Sequence, residues 1–253
     1  MLRRMTLKRN LMIILSVGFL LVSSFFVNTT HATDKGREYY EKTGKVVWEI
    51  QTTEKVVALT FDDGPHPIYT EQILNLMDQY GAKGTFFLVG EQAEKNSEVV
   101  LRMYEDGHEI ANHTYTHPFT KSVPDIIKEM DQTNEVLYNI TGYAPTLFRP
   151  VEGHYTDQLI NEVANKGYKM VMWSWHQDTE DWRDPGVNHI VRKVLNGIGA
   201  GNIVLFHDGG SDRTQTVQAL EIILPELKKQ GYRFITVSEM LDIQKGTSKL
   251  GKQ

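Results

Sequence analysis

The sequence predicts the α/β class: a distorted or incomplete (β/α) barrel of about seven parallel strands in a single domain. Three observations carry this. Short β-branched or aromatic runs alternate with helix-period patterns from about residue 55 onward. Seven strand–helix units fit into roughly 190 residues, a rhythm that belongs to parallel strands with crossover helices and not to a sandwich. The polar residues capable of chemistry follow the strands and do not scatter between them.

The first buried strand is Val56 to Phe61. A helix follows, with Thr70 as its expected cap, Ile73, Leu74 and Met77 as its apolar stripe, and Gly81 as its stop. Thr85 to Val89 is the second strand, and Ser97 is placed to cap a helix carrying Val100, Leu101 and Tyr104. Glu109 to Asn112 is a short third strand. Pro124 opens a long helix with Ile126, Ile127, Met130, Val136 and Leu137 inward, ending near Gly142. Thr146 to Arg149, Met170 to Ser174, Ile203 to Phe206 and Phe234 to Val237 complete the strands. Between them lie helices near 157–165, 187–195 and 217–230.

Composition narrows the function. The chain has 253 residues, with 27 basic against 32 acidic side chains and no cysteine. Without cysteine there is no disulfide scaffold, no thiolate-ligated metal and no thiol nucleophile. Four of the basic residues (Arg3, Arg4, Lys8, Arg9) fall in the first 32 positions, which hold no acid, so the remainder carries a net charge of −9. A body that acidic repels nucleic acid and anionic lipid and favours a neutral or cationic substrate.

After the basic stretch, Leu11 to Val27 runs 17 residues without a charge. That length falls between a secretory apolar region of about 7–15 residues and a spanning helix of about 20. Residues 1–32 are therefore expected to be a signal peptide cleaved after Ala32 or an uncleaved membrane anchor, and the rest of the chain to be exported. Residues 33–45 read as a polar spacer, 46–243 as the functional domain, and 244–253 as a flexible tail.

Barrels of this kind place chemistry on the loops after the strands. Asp62-Asp63-Gly64 follows the first strand, His113-Thr-Tyr-Thr-His117 the third, and Arg149-Pro150 ends the fourth. Asp178 and Asp181-Trp182 follow the fifth, and His207-Asp208 ends the sixth. Alone, a strand-end Asp is a turn former or helix cap. Two adjacent carboxylates after an apolar strand, however, repel each other unless a cation is near. Arg149 can supply one such charge and a metal ion the other. Two imidazoles and one carboxylate make a metal site with open positions, a second carboxylate can act as base, and a separate histidine as acid. His207 suits the acid, with Asp181 holding its tautomer and raising its pKa. The reaction class is metal-assisted hydrolysis.

Taken in order, Thr60-Phe-Asp62-Asp63-Gly64, His113-Thr-Tyr-Thr-His117, Arg149-Pro150, Asp181-Trp182-Arg-Asp-Pro185 and Leu205-Phe-His207 resemble the five motifs of the carbohydrate esterase family 4 polysaccharide deacetylases, the NodB-homology domain. The resemblance extends over about residues 45–243. It implies an incomplete (β/α) barrel that removes acetyl groups from N-acetylated sugars with one divalent metal ion, zinc first, with cobalt, nickel or manganese as alternatives. Residue by residue it implies Asp62 as catalytic base, Asp63, His113 and His117 as metal ligands, and Arg149 as the residue that orients the base. Asp181 is implied as partner of the acid His207, and Trp182 and Leu205 as walls of the acetyl pocket. One motif departs: the family's Arg-Pro-Pro-aromatic is here Arg149-Pro150-Val151-Glu152. Glu152 can still offer its backbone N–H to an oxyanion, while its carboxylate changes the sugar-binding face.

The expected substrate is the N-acetylglucosamine of a cell-wall glycan, peptidoglycan first, with chitin oligosaccharides or an exopolysaccharide as alternatives. Nucleic acid is not an expected partner, and membrane contact is expected only through the N-terminal segment. The competing class is a non-catalytic glycan binder on a retired deacetylase fold. His66, His154 and His176 are expected to be loop residues, Trp173 and Trp175 mainly core, and the Asn112 sequon a coincidence.

Overall fold

Strand β2 (Val56–Asp62) is buried along its whole length, and its alternation defines both sides of the barrel wall. Val57, Leu59 and Phe61 pack outward with Ile73, Leu74, Leu220 and Ile223 from the helices. Val56 and Ala58 face inward with Phe87, Ala111, Val171 and Ile203. The period of two puts Thr60 and Asp62 on that same interior face, so the inside of the barrel turns polar only at its upper rim. These features come from a computed structural model, which describes residues 35–250, with side chains to residue 246. The signal or anchor expected at 1–32 lies outside the described residues, as do the last three residues of the chain. Among the described residues no helix is long and apolar enough to cross a membrane.

The strands are β1 (Val46–Val47), β2, β3 (Gly84–Leu88), β4 (Glu109–Asn112), β5 (Leu147–Phe148), β6 (Lys169–Val171), β7 (Ile203–His207) and β8 (Arg233–Phe234). Seven lie in the order β1-β6-β5-β4-β3-β2-β7, β8 pairs with the start of β2, and every ladder is parallel. The helices are α1 (Arg37–Thr43), α2 (Tyr69–Gln79), α3 (Gly90–Lys95), α4 (Ser97–Glu105), α5 (Val123–Thr141), α6 (Asp157–Asn165), α7 (Val187–Gly197), α8 (Thr214–Lys229) and α9 (Val237–Leu250). Phe61 stacks between Phe86 and Phe206 at 4.8 and 5.6 Å under the helices. Truncating such a buried phenylalanine costs about 3–5 kcal/mol.

The sheet curls without closing as a ladder. Beyond β6, the Ser174 N–H donates to the Ile203 carbonyl at 3.0 Å, and Ile50 N–H to the Gly201 carbonyl at 3.0 Å. An isolated antiparallel bridge, Glu49 to Asn202, adds to these. The barrel is therefore joined across β7 by irregular bonds, which confirms the expected incomplete (β/α) barrel.

Several expectations need correction. The polar spacer at 33–45 contains α1, which inserts Tyr40 beside Trp48 and Phe148 and ends on Gly44 in the left-handed region. Its single apolar anchor gave too weak a period to read. The two-residue strand β1 pairs with β6, and its shortness hid it. At the other end α9 runs on to Leu250, through the tail expected from 244. Gln244 and Lys245 are good helix formers, and extending an existing helix needs no new nucleus. Thr70 lies inside α2; the Ile68 and Tyr69 N–H groups at its start donate to His66 Nδ1. Ser97 is likewise the first residue of α4, behind Asn96.

Candidate active site

Register places the site. Asp62 at the end of β2 is level with Phe87 of β3 and His207 of β7, and Asn112 at the end of β4 is level with Leu88 and Phe148. Residues far apart in sequence thus leave the sheet at one rim. Asp62 turns inward and its Oδ1 accepts from Arg149 Nη1 at 2.7 Å. Arg149 is fully buried and spends its remaining donors on Thr60 Oγ1, the Val171 carbonyl and the Met172 carbonyl, over the face of Phe87. It is a fixed fork, not a mobile counterion, and it leaves Asp62 Oδ2 directed into the site.

The next residue bends away. Asp63 has a φ of 72°, in the left-handed region that Asp tolerates better than most side chains, so two successive carboxylates point to different partners. Asp63 Oδ1 lies 3.1 Å from His117 Nε2 and 3.5 Å from His113 Nε2. The three ligand atoms all lie within 4.8 Å of one another. His113 Nδ1 sits 2.8 Å from the Arg149 carbonyl. A carbonyl only accepts, so Nδ1 carries a proton and Nε2 is the ring nitrogen turned to the site, the atom that would offer a lone pair to a bound cation.

The His113–His117 loop is pinned from below. Glu129 on α5 accepts the N–H groups of Tyr115 and Thr116 at 3.0 and 2.7 Å, and Thr114 and His117 both take positive φ. The four-residue spacing of the histidines therefore acts through a strained, clamped loop and not through a helix face.

The three side chains fit a small divalent cation. Asp63 Oδ1 is buried and has no well-formed hydrogen bond among the described residues. Donor atoms about 2.0–2.1 Å from a tetrahedral ion stand roughly 3.4 Å apart, which the 3.1 and 3.5 Å separations bracket. Burial opposes the charge on Asp63, yet the two imidazoles outweigh it and hold the carboxyl well below its ordinary range.

Beside the end of β7, Asp181 is buried in a short turn, and its Oδ1 meets His207 Nδ1 at 2.7 Å. Its Oδ2 accepts the His207 backbone N–H at 2.9 Å and the Thr216 hydroxyl at 2.7 Å. Burial opposes protonation of His207, but Asp181 first, then Asp63 and Asp62, raise its pKa to about 9. Nε2 is left as the proton-bearing atom facing the pocket.

Asp62, Asp63, His113, His117 and His207 line a pocket of about 300 Å³ with Trp182, Leu205 and Glu152. Leu205 is buried, Trp182 half exposed, and Glu152 sits at the rim with a φ of 53°. Arg149 and Asp181 stand directly behind Asp62 and His207, so the structure brings all ten predicted residues together. Phe119, Trp173 and Asp178 also line this pocket, and the roles of Glu129 and Thr216 had no signal in the sequence. Both sit on helices at positions that read as ordinary faces. Of the set-aside residues, Asn112 is buried with its amide committed to the Met130 carbonyl and His154 is exposed, as expected. Trp175, expected in the core, is 65% exposed because the chain has left β6 and turns at 175–177, while Trp173 is partly buried and lines the pocket.

Residues 49–171 match the polysaccharide deacetylase family. A peptidoglycan-N-acetylglucosamine deacetylase of Bacillus cereus is 48% identical over 206 residues, covering 81% of this chain and 97% of that protein. The chain belongs to the polysaccharide deacetylase family. A second relative, the peptidoglycan-N-acetylmuramic acid deacetylase PdaC of Bacillus subtilis, is 38% identical over 78% of this chain but only 41% of its own length. In three dimensions the chain resembles the Bc1960 peptidoglycan N-acetylglucosamine deacetylase, solved with 4-naphthalen-1-yl-N-oxidanyl-benzamide. The TM-score is 0.77 at 33% identity, covering 80% of this chain and 95% of that one. Deacetylases of this family depend on a metal, and Asp63, His113 and His117 are the residues of this chain able to hold it.

Proposed function

We propose that this family member hydrolyses the N-acetyl group of N-acetylglucosamine units in peptidoglycan. The observation that carries the reading is the placement of two proton-handling groups, Asp62 and His207, in one pocket with the Asp63–His113–His117 cluster. A divalent cation held there, zinc first by its preference for two imidazoles and a carboxylate, supplies polarisation of the acetamide carbonyl and a lowered pKa for water.

The protein's own side chains do the rest. Asp62 Oδ2 accepts a proton from the attacking water while Arg149 fixes Oδ1. His207 Nε2 donates a proton to the departing sugar nitrogen as the carbon–nitrogen bond breaks, giving acetate and a free amine. Asp181 keeps His207 protonated and oriented. Leu205 and Trp182 enclose the acetyl methyl, and the Glu152 N–H is the backbone donor assigned to the carbonyl oxygen as it takes up negative charge. The 48% identical Bacillus cereus deacetylase favours peptidoglycan, and chitin oligosaccharides or an exopolysaccharide are the alternatives. The basic and apolar N-terminal sequence favours export to the outer face of the membrane.

The non-catalytic alternative draws on the altered third motif, Val151-Glu152. Acetate release from zinc-loaded protein on peptidoglycan, chitin oligomers and poly-N-acetylglucosamine decides between them. The deacetylase reading expects acetate from wild type and loss of at least 100-fold in Asp62→Asn that still binds metal, on the order of one lost general base. No acetate from any glycan by wild type overturns it.

A further inference from the structure

A second cavity of about 290 Å³ opens from the catalytic pocket and shares four of its residues, Glu152, Gly153, Trp173 and Asp178. It adds Trp48 and Trp175. Trp175 is 65% exposed, a large aromatic face left in solvent beside a polar groove. Trp48 is fully buried, and its indole Nε1 has no hydrogen-bond partner among the described residues. A glycine at 153 is required here, because a Cβ would stand 2.7 Å from Trp173 Cη2, so the backbone lies directly against the ring. An exposed aromatic face, an unspent buried donor and carboxylates along one groove are what a polar sugar ring needs: stacking for its C–H face, hydrogen bonds for its edge.

The charge of the groove selects among sugars. Asp178 accepts the Glu180 N–H at 3.0 Å and has no cationic nitrogen within 4 Å among the described residues. Burial raises its pKa, a cost that a bound cation would relieve. Among the described residues Glu152 meets one charged group, His154, 3.4 Å away, in a pair exposed on both sides. A neutral acetamide at this position brings no charge to either carboxylate, whereas an ammonium adds to the exposed His154 beside Glu152 and to the His207 charge acting on Asp178.

We propose that this second cavity binds an amino sugar bearing a free ammonium, so that the protein acts preferentially beside a residue already deacetylated. The inference rests on the deacetylase reading above. Glu152 and Asp178 face the ammonium and Trp175 stacks on its ring.

The test compares two β-linked glucosamine trimers in one competition assay, one fully N-acetylated and one with a single free amine beside the acetylated ring. The expected kcat/KM ratio is about 3- to 20-fold in favour of the free amine, the size of one or two partly exposed ion pairs. It should fall toward one in Glu152→Gln/Asp178→Asn and as NaCl rises from about 0.05 to 0.5 M, the range over which exposed charges become screened. The internal ratio separates loss of preference from loss of fold, and Glu152→Gln alone serves if the double variant does not fold. Peptidoglycan fragments with and without prior partial N-deacetylation show whether the wall glycan presents the same ammonium. Calorimetric binding of the all-glucosamine trimer reports on the cavity without turnover. Weakening of 3-fold or more in the double variant supports the subsite even if no acetate is released, an outcome that would sink only the catalytic reading. Equal kcat/KM for the two trimers with acetate release, or binding unchanged in the variant, overturns the subsite alone.

Discussion

His207 Nδ1 and Asp181 Oδ1 stand 2.7 Å apart, with Asp181 withdrawn from solvent and anchored by a second residue, Thr216. The pair sets the protonation of the group assigned to donate to the leaving amine. With His207 held at about 9, Asp181→Asn should move the alkaline limb of kcat toward the ordinary imidazole value of about 6.5. A bound cation lowers both profiles without changing the direction. Activity at neutral pH should drop by about 100- to 10,000-fold, the range for a misdirected general acid. pH–rate profiles of the two proteins check this; an unmoved limb would remove Asp181 from its assigned role.

The same raised pKa affects stability. A histidine whose folded value lies above its unfolded value stabilises fully below about 6.5, and that contribution disappears as pH rises through about 9. In metal-free protein, the Tm gap between wild type and His207→Gln should be largest near pH 6 and close toward pH 9.5. A gap independent of pH would contradict it.

Arg149→Ala leaves Asp62 buried without its cation and strips the donors from Thr60 and two β6-end carbonyls. Breaking a buried pair on one side costs about 3–5 kcal/mol, and at about 2–4 °C per kcal/mol for a chain of this size Tm should fall by about 6–20 °C. Calorimetry of the variant reads it directly.

Gly153→Ala forces a Cβ to 2.7 Å from Trp173 at a φ of +68°. The strain is about 1–3 kcal/mol, and because Trp173 lines the catalytic pocket, kcat/KM should fall several-fold at temperatures well below Tm. Full activity would mean that Trp173 does not shape the site.

What the sequence made legible follows from range. The parallel barrel was readable because its central strands are buried on both faces, giving runs such as Val56–Phe61 that need no partner to be recognised. The rim was readable because strand ends gather there by register. The supporting residues were not. Glu129 lies in α5 between Ile126 and Met130 and reads as any helix acid, yet it holds the loop of His113 and His117. Thr216 is one threonine within α8, and nothing local says that Asp181 will meet it. The short elements α1 and β1 carry too few residues for a period, and their stability comes from Tyr40 and Trp48 packing on distant α6.

The central claim is that Asp63, His113 and His117 hold one cation on which acetate release depends, and zinc titration of chelator-stripped protein tests it most directly. Acetate release from peptidoglycan should be absent at the start, rise with added zinc and break at one equivalent per chain, with no such rise in His117→Ala. Acetate release that survives stripping, or stripped protein that stays silent at every zinc level, would contradict the account.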